Sequence, residues 1–425
     1  MSSAAHPGAG IPEAVVAAGL TPLGRDAWVE VDLDAIAVNV RSFRARLPAN
    51  GHLDVVLKAN GYGLGAVEIA RECIEAGARA LLVATVDEAL ELRDAGITAP
   101  VRVLWRVPPA YLRIAAVRAI GVPATSPHVV EEILAADLDG VPPLIVDVEV
   151  ETGLGRDGIL ASELGELVRR LKAAAPRLQL RGIWSHLSNA EEVIRAEEQR
   201  RALSTAIEAL ERSGGVASGI ERHLVASGGL YTIGTGETVA RVGIALYGVV
   251  PNALRSSASA ADLGLAAVYR LVARPVRVVR LPAGHGIGYG PAFTTERPSR
   301  IVTLPIGYAD GISYDEKGHA EVLARGVRLP VVGTIAMDSI TVDATDHPAA
   351  DLGYSDDFVF IGASENDQIE PVDVARRRGT ITNEVSTSFA ERLARVYMRG
   401  GAPVAVHVLR SEEHTSELQS LAYLV

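Results

Sequence analysis

Residues 54–65 read DVVLKANGYGLG, a short apolar strand that runs through Lys58 into a glycine-rich turn. A helical pattern follows at residues 66–76, and seven more β-branched runs come after it, separated by helical patterns. The eight strands are predicted at residues 54–57, 80–85, 101–105, 122–124, 144–150, 179–185, 223–226 and 238–244. This alternation predicts the α/β class and a (β/α)₈ TIM barrel, whose active site lies at the carboxyl ends of the strands. An open doubly wound sheet is the alternative.

The sequence pattern changes after Pro251, where helical stretches give way to short strands separated by Gly, Pro and Asp. A further strand is predicted at residues 28–32, ahead of a helix at residues 33–47 and outside the eight-strand count. We expect it to pair with the C-terminal domain. The later strands are predicted at residues 271–281, 299–305, 320–323, 327–332, 340–343 and 357–361, which indicates a mostly β C-terminal domain.

Four segments are predicted along the chain. Residues 1–26 are rich in small residues and are expected to be a disordered N-terminal extension. The barrel is expected at residues 27–260 and the β domain at residues 261–409. Residues 410–425 are interpreted as a non-native tail, because RSEEHTSELQS at residues 410–420 matches the translation of a common sequencing-adapter oligonucleotide.

Composition narrows the class of partner. The 425 residues are 48% hydrophobic and carry 41 Lys+Arg against 52 Asp+Glu, a formal net charge of −11. This balance favours an enzyme for a small molecule and argues against nucleic acid or an anionic membrane as the main partner. The single cysteine, Cys73, cannot form an internal disulfide or a thiolate metal cage, so we expect a cytoplasmic protein with no structural metal. No run of 18 apolar residues predicts a membrane span.

Lysine is scarce in this chain. Only three of the 41 basic residues are lysines, and Lys172 and Lys317 stand in polar surroundings typical of a solvated surface. Lys58 instead ends an apolar strand. Because arginine stays protonated and does not readily form a Schiff base, Lys58 is the candidate for covalent lysine chemistry.

A phosphate site is predicted at the same end of the barrel. Ser227 is followed by two glycines, and the amides of Gly243 and Ile244 follow the eighth strand. Hydroxyl and backbone N–H groups of this kind bind phosphate. A Schiff-base lysine facing a phosphate site indicates pyridoxal 5′-phosphate (PLP).

Five motifs in order make the chain similar to the alanine racemase family, over about residues 28–397. They are VLKANGYGLG at residues 56–65, RVGIALYG at residues 241–248, GYG at residues 288–290, GYADG at residues 307–311 and GTIAMD at residues 333–338. Each motif alone is weak, but five in order are strong.

The resemblance implies a PLP-dependent racemase of L- and D-alanine that acts as a head-to-tail homodimer. Lys58 would hold PLP and act as the base on one face of Cα, and Tyr289 of the partner subunit would act on the other face. Two bases are needed because racemisation removes a proton from one side of Cα and returns it to the other.

The resemblance also assigns binding roles. Arg241 would hydrogen-bond the pyridine nitrogen of PLP, and because arginine does not give up its proton, side reactions would be restrained. His186 would support Arg241 and Tyr289. Arg156 and the Met337 amide would bind the substrate carboxylate, and Tyr308 would line the access channel. The phosphate would be bound by Tyr62, Ser227, Gly243 and Ile244.

Two residues depart from the family pattern. Glu149 stands where many relatives carry a carbamylated lysine whose anion orients the equivalent of Arg156, and we interpret it as a replacement anion. Glu391 stands where a tyrosine usually contacts the phosphate, and a carboxylate there would repel it.

Other functions stay open at this stage. One is racemisation of another amino acid, such as serine in secondary metabolism, and others are a barrel-type PLP decarboxylase and an inactive PLP-binding homologue. Arg241 and the position of Cys73 count against the decarboxylase, which generally has an acidic residue at the pyridine nitrogen and a catalytic cysteine in its β domain.

Overall fold

The computed structural model describes residues 10–216, 220–254, 257–290 and 292–409. The first nine residues and the tail predicted at residues 410–425 lie outside the described part. Two compact units account for the described chain. The barrel unit contains residues 35–62 and 66–267, and the β unit contains residues 10–34, 63–65 and 268–409.

Eight parallel strands close the barrel. The first strand pairs with the eighth, where His52 lies opposite Val239 and Val55 opposite Val242. This closure confirms the (β/α)₈ TIM barrel and excludes the open sheet. The strands, numbered here as barrel strands 1 to 8, are His52–Val56, Ala80–Val83, Val101–Val103, Ile120–Ala124, Leu144–Glu149, Leu178–Trp184, Glu221–His223 and Val239–Val242.

Amphipathic helices follow the strands. Helix Ala161–Ala173 buries Leu164, Leu167, Val168 and Leu171, whose spacing puts them on one face of the helix. The other helices of this part of the chain are Leu33–Ala45, Ala66–Glu75, Val86–Asp94, Pro109–Val117, Pro127–Ala135, Val193–Arg212 and Ser227–Thr232, with 3₁₀ turns at Ile244–Tyr247 and Asn252–Leu254.

The barrel interior holds a layer of charged and polar side chains. Asp54, Arg102, Asp147 and His223 come from barrel strands 1, 3, 5 and 7 and are each at most 5% exposed. Arg102 Nη1 lies 3.0 Å from His223 Nε2 and 3.4 Å from Asp147 Oδ1. Strands 3 and 7 are opposite each other, so this contact crosses the barrel. Layers of four side chains from alternate strands are usual in such barrels, but they are usually apolar.

The β unit is built on an eleven-stranded sheet. Strand Ala27–Asp32 lies in it between Tyr269–Ala273, which is antiparallel to it, and Ala394–Arg399, which is parallel. The other strands of the sheet are Arg277–Leu281, Ser299–Leu304, Glu321–Ala324, Val327–Val332, Ile340–Asp343, Phe358–Ser364, Asp367–Ile369 and Ala402–His407. Gly286–Ile287 pairs with Phe293–Thr294, and the helical segments of the unit are Ile11–Ala17, Pro371–Arg378, Thr382–Thr387, Tyr308–Asp310 and Tyr314–Glu316.

Two details of the predicted secondary structure are wrong. The run at residues 271–281 is two strands, separated at residues 274–276 by a segment that contains Pro275, which has no amide hydrogen for a strand ladder. Within the predicted disordered extension, Ile11–Ala17 is a helix that buries Val15. Glu13 of this helix pairs with Arg274 at 3.0 Å, so tertiary contacts hold a segment that composition alone assigns to disorder.

The barrel unit extends beyond the predicted boundary at residue 260, to Ala267. Asn39 explains this, because its Nδ2 donates to the carbonyls of Leu246 and Ala266 and its Oδ1 accepts from the Ala266 amide. In the β unit, the buried Arg395 donates to the Gly63 carbonyl from Nε and Nη2, at 3.1 and 2.9 Å, which ties residues 63–65 to that unit.

Candidate active site

Lys58 follows barrel strand 1 and opens a left-handed turn. The φ angles of Ala59, Asn60, Gly61 and Tyr62 are 54°, 52°, 62° and 54°. Glycine adopts this conformation freely, but alanine and tyrosine do so at a cost. Hydrogen bonds hold the turn: the Gly61 amide donates to the Leu57 carbonyl at 2.8 Å, the Ala59 amide to Glu88 Oε1 at 2.6 Å and the Ala66 amide to Asn60 Oδ1 at 2.8 Å.

The surroundings of Lys58 favour its neutral amine. Burial lowers the pKa of Lys58, the positive charge of Arg156 lowers it further, and the carboxylate of Glu88 partly opposes both. A neutral amine is the form that can attack a carbonyl group or take up a proton.

Arg241 lies on barrel strand 8 and is 4% exposed. Its Nη2 donates to the carbonyls of Ser185 and Leu224, and its guanidinium carbon lies 4.8 Å from the centre of the Trp184 ring. Burial lowers the pKa of Arg241 to about 10, so it is still protonated at neutral pH. Its buried Nε has no hydrogen-bond partner among the described residues.

His186 follows barrel strand 6 and is kept neutral. Burial and the positive charges of Arg241, Arg156 and Lys58 lower its pKa to about 3. The same electrostatic neighbours show that the barrel brings these four predicted site residues together. A neutral histidine can both donate and accept a hydrogen bond.

Tyr62, Ser227 and Gly243 form a buried cradle. A Cβ on Gly243 would lie 2.5 Å from Tyr62 Oη, so only glycine lets this hydroxyl approach the backbone. Ser227 Oγ accepts from the Gly243 amide at 3.0 Å and from the Ala245 amide at 3.5 Å, which leaves its own hydrogen free to donate. Burial raises the pKa of Tyr62 to about 12, so its phenol stays a donor. Ile244 begins the 3₁₀ turn that follows Gly243.

Arg156 packs against an aromatic ring and interacts electrostatically with a buried carboxyl group. Its guanidinium carbon is 4.9 Å from the centre of the Trp105 ring. Glu149, at the end of barrel strand 5, is 3% exposed. Burial and Asp157 raise the pKa of Glu149, and the positive charges of Arg241 and Arg156 oppose this, with a result of about 7. Glu149 therefore interacts electrostatically with both arginines and changes charge near neutral pH.

The predicted residues of the C-terminal domain lie in the β unit. The side chains of Tyr289, Tyr308 and Met337 are exposed, by 80%, 44% and 51%. Their loops are neighbours, because Thr334 Oγ1 donates to the Tyr289 carbonyl and the Tyr308 amide donates to the Ala336 carbonyl. Arg392 Nη2 donates to the Met337 carbonyl at 3.3 Å. These residues belong to a different unit from the Lys58 group.

Glu391 is exposed, in the turn that precedes strand Ala394–Arg399. Its carbonyl accepts from Arg395 Nη1 at 3.2 Å. The backbone of this segment is therefore fixed, while its carboxylate faces solvent within the β unit.

Two family models match the chain. The model for the alanine racemase N-terminal domain matches residues 31–251, and the model for the C-terminal domain matches residues 268–397. The chain belongs to the alanine racemase family. Members are isomerases, and an alanine racemase from Clostridium novyi is 33% identical to this chain over 390 residues, which cover 90% of this chain and 98% of that protein.

Solved structures of the racemase family share the fold. The alanine racemase from Bacillus anthracis with bound L-Ala-P superposes with a TM-score of 0.82 at 32% identity, over 91% of this chain and 98% of that one. The alanine racemase from Bartonella henselae with covalently bound pyridoxal phosphate has a TM-score of 0.74 at 28% identity, over 88% and 99% of the two chains.

Sequence reasoning missed three residues of this racemase-family site. Glu88 holds the Lys58 turn, Trp105 stacks on Arg156, and Trp184 stacks on Arg241. Glu88 was detectable, because Thr85 and Glu88 form the capping box of helix Val86–Asp94, a pattern visible in the sequence. No comparable sequence signal marks the two tryptophans.

The described residues contain neither a membrane-spanning helix nor a group of metal ligands. No helix in these ranges is both long and apolar enough to cross a membrane. Within the same ranges, no three or more His, Cys, Asp or Glu side chains are grouped so that they could hold a metal ion.

Proposed function

We propose that this chain interconverts L- and D-alanine with PLP bound at the carboxyl end of its barrel. The observation that carries the proposal is the meeting of Lys58, Arg241, Arg156 and His186 at that end, in a chain of the alanine racemase family. We propose alanine as the physiological substrate because the relatives of this chain are alanine racemases.

The barrel residues fit PLP. Arg241 has a buried Nε–H with no partner among the described residues, and an acceptor nitrogen of an aromatic ring would satisfy it. The cradle at Gly243 brings together the hydroxyls of Tyr62 and Ser227, which are donors for a phosphate. Lys58 would hold the cofactor covalently. When bound, PLP withdraws electrons from Cα of the substrate and so makes its proton removable.

Lys58 and Arg156 act on the substrate. Burial and Arg156 lower the pKa of Lys58, which favours the free amine that can accept the Cα proton on one face. Arg156, fixed against Trp105, offers its guanidinium to the substrate carboxylate. Above about pH 7 the Glu149 carboxylate adds a negative charge that attracts Arg156, and we propose that this attraction orients Arg156.

Arg241 controls which reaction follows proton removal. Its pKa of about 10 keeps the guanidinium protonated at neutral pH, so it would hydrogen-bond the ring nitrogen of PLP without giving up its proton. With PLP bound, Arg241 would therefore limit how far negative charge is drawn into the ring, which would favour return of the proton to Cα. An arginine at this position therefore favours racemisation over transamination and over the decarboxylase alternative.

The second base is Tyr289 of the partner subunit, in a homodimer whose subunits share their active sites. In support, Tyr289 is 80% exposed on its own unit, and a tyrosine that serves another subunit must be accessible from outside. The loop contacts among Tyr289, Tyr308 and Met337 would let one β unit present a proton donor, the channel lining and an amide together. The cytoplasm, with D-alanine synthesis as the role, is the proposed setting, and the buried thiol of Cys73 suits a reducing compartment.

Incubation of the PLP-loaded protein with L-alanine or L-serine in deuterium oxide tests the proposal. We expect loss of optical rotation and deuterium incorporation at Cα, faster with L-alanine. Release of carbon dioxide would instead identify a decarboxylase. Absence of exchange with every amino acid, despite the absorbance of bound PLP, would refute racemisation.

Tyr289→Phe tests the two-face assignment. Because Lys58 remains, we expect the variant to exchange the Cα proton of one alanine enantiomer much faster than that of the other. Tyr354→Phe is a matched control, since Tyr354 is 60% exposed elsewhere on the β unit. Equal loss for both enantiomers would contradict the assignment of Tyr289 to one face.

A further inference from the structure

A cavity of about 170 Å³ opens at the amino-terminal end of the barrel, away from Lys58. Val101, which begins barrel strand 3, and Ile145, near the start of barrel strand 5, provide apolar wall. Arg93, Arg102 and Arg181 bring three guanidinium groups to the lining. We call this cavity the arginine pocket.

Arg102 brings a buried positive charge to the wall of the arginine pocket. The residue is 4% exposed, and Nη1 and Nη2 are bound to the network of Asp147, His223 and Glu221. Its Nε is buried and has no hydrogen-bond partner among the described residues. Because this atom is closed off from the cavity, Arg102 contributes its positive charge to the pocket and not a hydrogen-bond donor.

Arg181 supplies accessible donors. In the described part of the chain its only hydrogen bond runs from Nε to Glu221 Oε1, at 3.2 Å, which leaves both Nη groups available. Its side chain is 26% exposed, so part of Arg181 is accessible from solvent. The N–H groups of Arg93 are occupied, since they donate to the carbonyls of Arg118, Ile97, Ala99 and Ala119. Arg93 therefore contributes positive charge to the pocket, and not hydrogen-bond donors.

The charges around the pocket do not balance. Four guanidinium groups, those of Arg79, Arg93, Arg102 and Arg181, accompany three carboxylates, those of Asp54, Asp147 and Glu221. His223 adds no charge at neutral pH, because its Nε2 accepts from Arg102 and burial lowers its pKa. One positive charge is left without a counter-charge in this cluster.

The shape of the pocket restricts its occupant. Gly121 lines it, and a Cβ there would lie 3.3 Å from Arg102 Cγ and 3.6 Å from Ile145 Cγ2, so the missing side chain keeps the space beside Arg102 open. Asp147 Oδ2 lies 3.5 Å from the same point but, like Arg102 Nε, is a buried atom without a hydrogen-bond partner among the described residues and is closed off from the cavity. The volume admits a few non-hydrogen atoms, and the walls combine cations with apolar carbon.

We propose that the arginine pocket binds a small monocarboxylate with a short aliphatic chain. Its carboxylate accepts hydrogen bonds from the Nη groups of Arg181, next to the positive charge of Arg102, and its carbon chain packs on Val101 and Ile145. The single negative charge matches the excess positive charge of the cluster. No catalytic residue lies in the pocket, so this binding is separate from the racemase activity.

Titration of the protein with 3,3,3-trifluoropropionate, followed by ¹⁹F NMR, tests the proposal. Arg156→Met removes carboxylate binding at the Lys58 end, and we expect this variant to keep one saturable site. Combining it with Arg181→Met should weaken that site at least about tenfold, because a charge-assisted hydrogen bond is lost. Combining it with Arg222→Met is the matched control, since Arg222 is 30% exposed and paired with Glu211 outside the pocket.

A second variant and a competing anion test the pocket and its preference for a carboxylate. Ile145→Trp fills the pocket without changing charge and should also abolish the site. If Arg156→Met shows no saturable binding, or if Arg181→Met and Ile145→Trp leave its binding unchanged, the proposal is overturned. Displacement by chloride at the same concentration as by propionate would overturn the carboxylate assignment.

Discussion

Glu149→Gln is expected to make the protein more heat-stable at alkaline pH than the natural chain. Glu149 has a pKa of about 7 in the folded protein against an ordinary value of 4.5. Between these values the folded state holds a proton that the unfolded state has released, so the natural chain loses stability as pH rises through this window. Each pH unit is equivalent to about 1.4 kcal/mol, which gives a loss of roughly 3 kcal/mol. A glutamine cannot ionise and avoids this loss.

The assay is thermal unfolding at fixed scan rate from pH 4.5 to pH 8. For a unit of about 200 residues, 3 kcal/mol corresponds to about 6 °C in Tm. The Tm advantage of Glu149→Gln should grow with pH and level off above pH 7. Glu163→Gln, on the exposed face of helix Ala161–Ala173, is the control and should show no pH-dependent difference. A Tm difference between Glu149→Gln and the natural chain that is the same at pH 5 and pH 8 would refute the reasoning.

Two further substitutions test the site. Gly243→Ala puts a Cβ 2.5 Å from Tyr62 Oη and should weaken PLP binding, measured by absorbance, about tenfold or more. Gly165→Ala is the control, because its Cβ meets no atom within 4 Å and should leave PLP binding unchanged. Equal PLP affinities of the two variants would contradict the role of the cradle. Trp105→Ala removes the ring under Arg156, so KM for alanine should rise about two- to thirty-fold with kcat little changed. A fall in kcat at constant KM would assign Trp105 another role.

The barrel was predictable because its strands are buried on both sides. Each strand appears in the sequence as a β-branched run, and the closure of the eighth strand on the first confirmed the count. The charged layer was not foreseen, although Arg102 stands between Val101 and Val103 in a strand of three residues. A lone polar residue in such a run fits an edge strand as well as a buried ion pair, and only the crossing contact to His223 distinguishes them.

Long-range contacts also limited the prediction of the site. The sequence identified Lys58 by its position after a strand, but the neighbours that lower its pKa come from other loops: Arg156 follows barrel strand 5 and Glu88 lies on another helix. Likewise, helix Ile11–Ala17 depends on Val15 and on the ion pair of Glu13 with Arg274, which is 261 residues away in the chain. Local patterns carry no information about such partners.

The left-handed turn after Lys58 means that the lysine motif does not hold its conformation outside this fold. Ala59, Asn60 and Tyr62 sit in a conformation that costs roughly 1–2 kcal/mol for each residue other than glycine. Glu88, on another helix, supplies the acceptor that helps to hold Ala59 there. A peptide carrying residues 54–65 would therefore relax into ordinary right-handed or extended conformers. Grafting this lysine onto another barrel requires the receiving scaffold to supply an equivalent of Glu88.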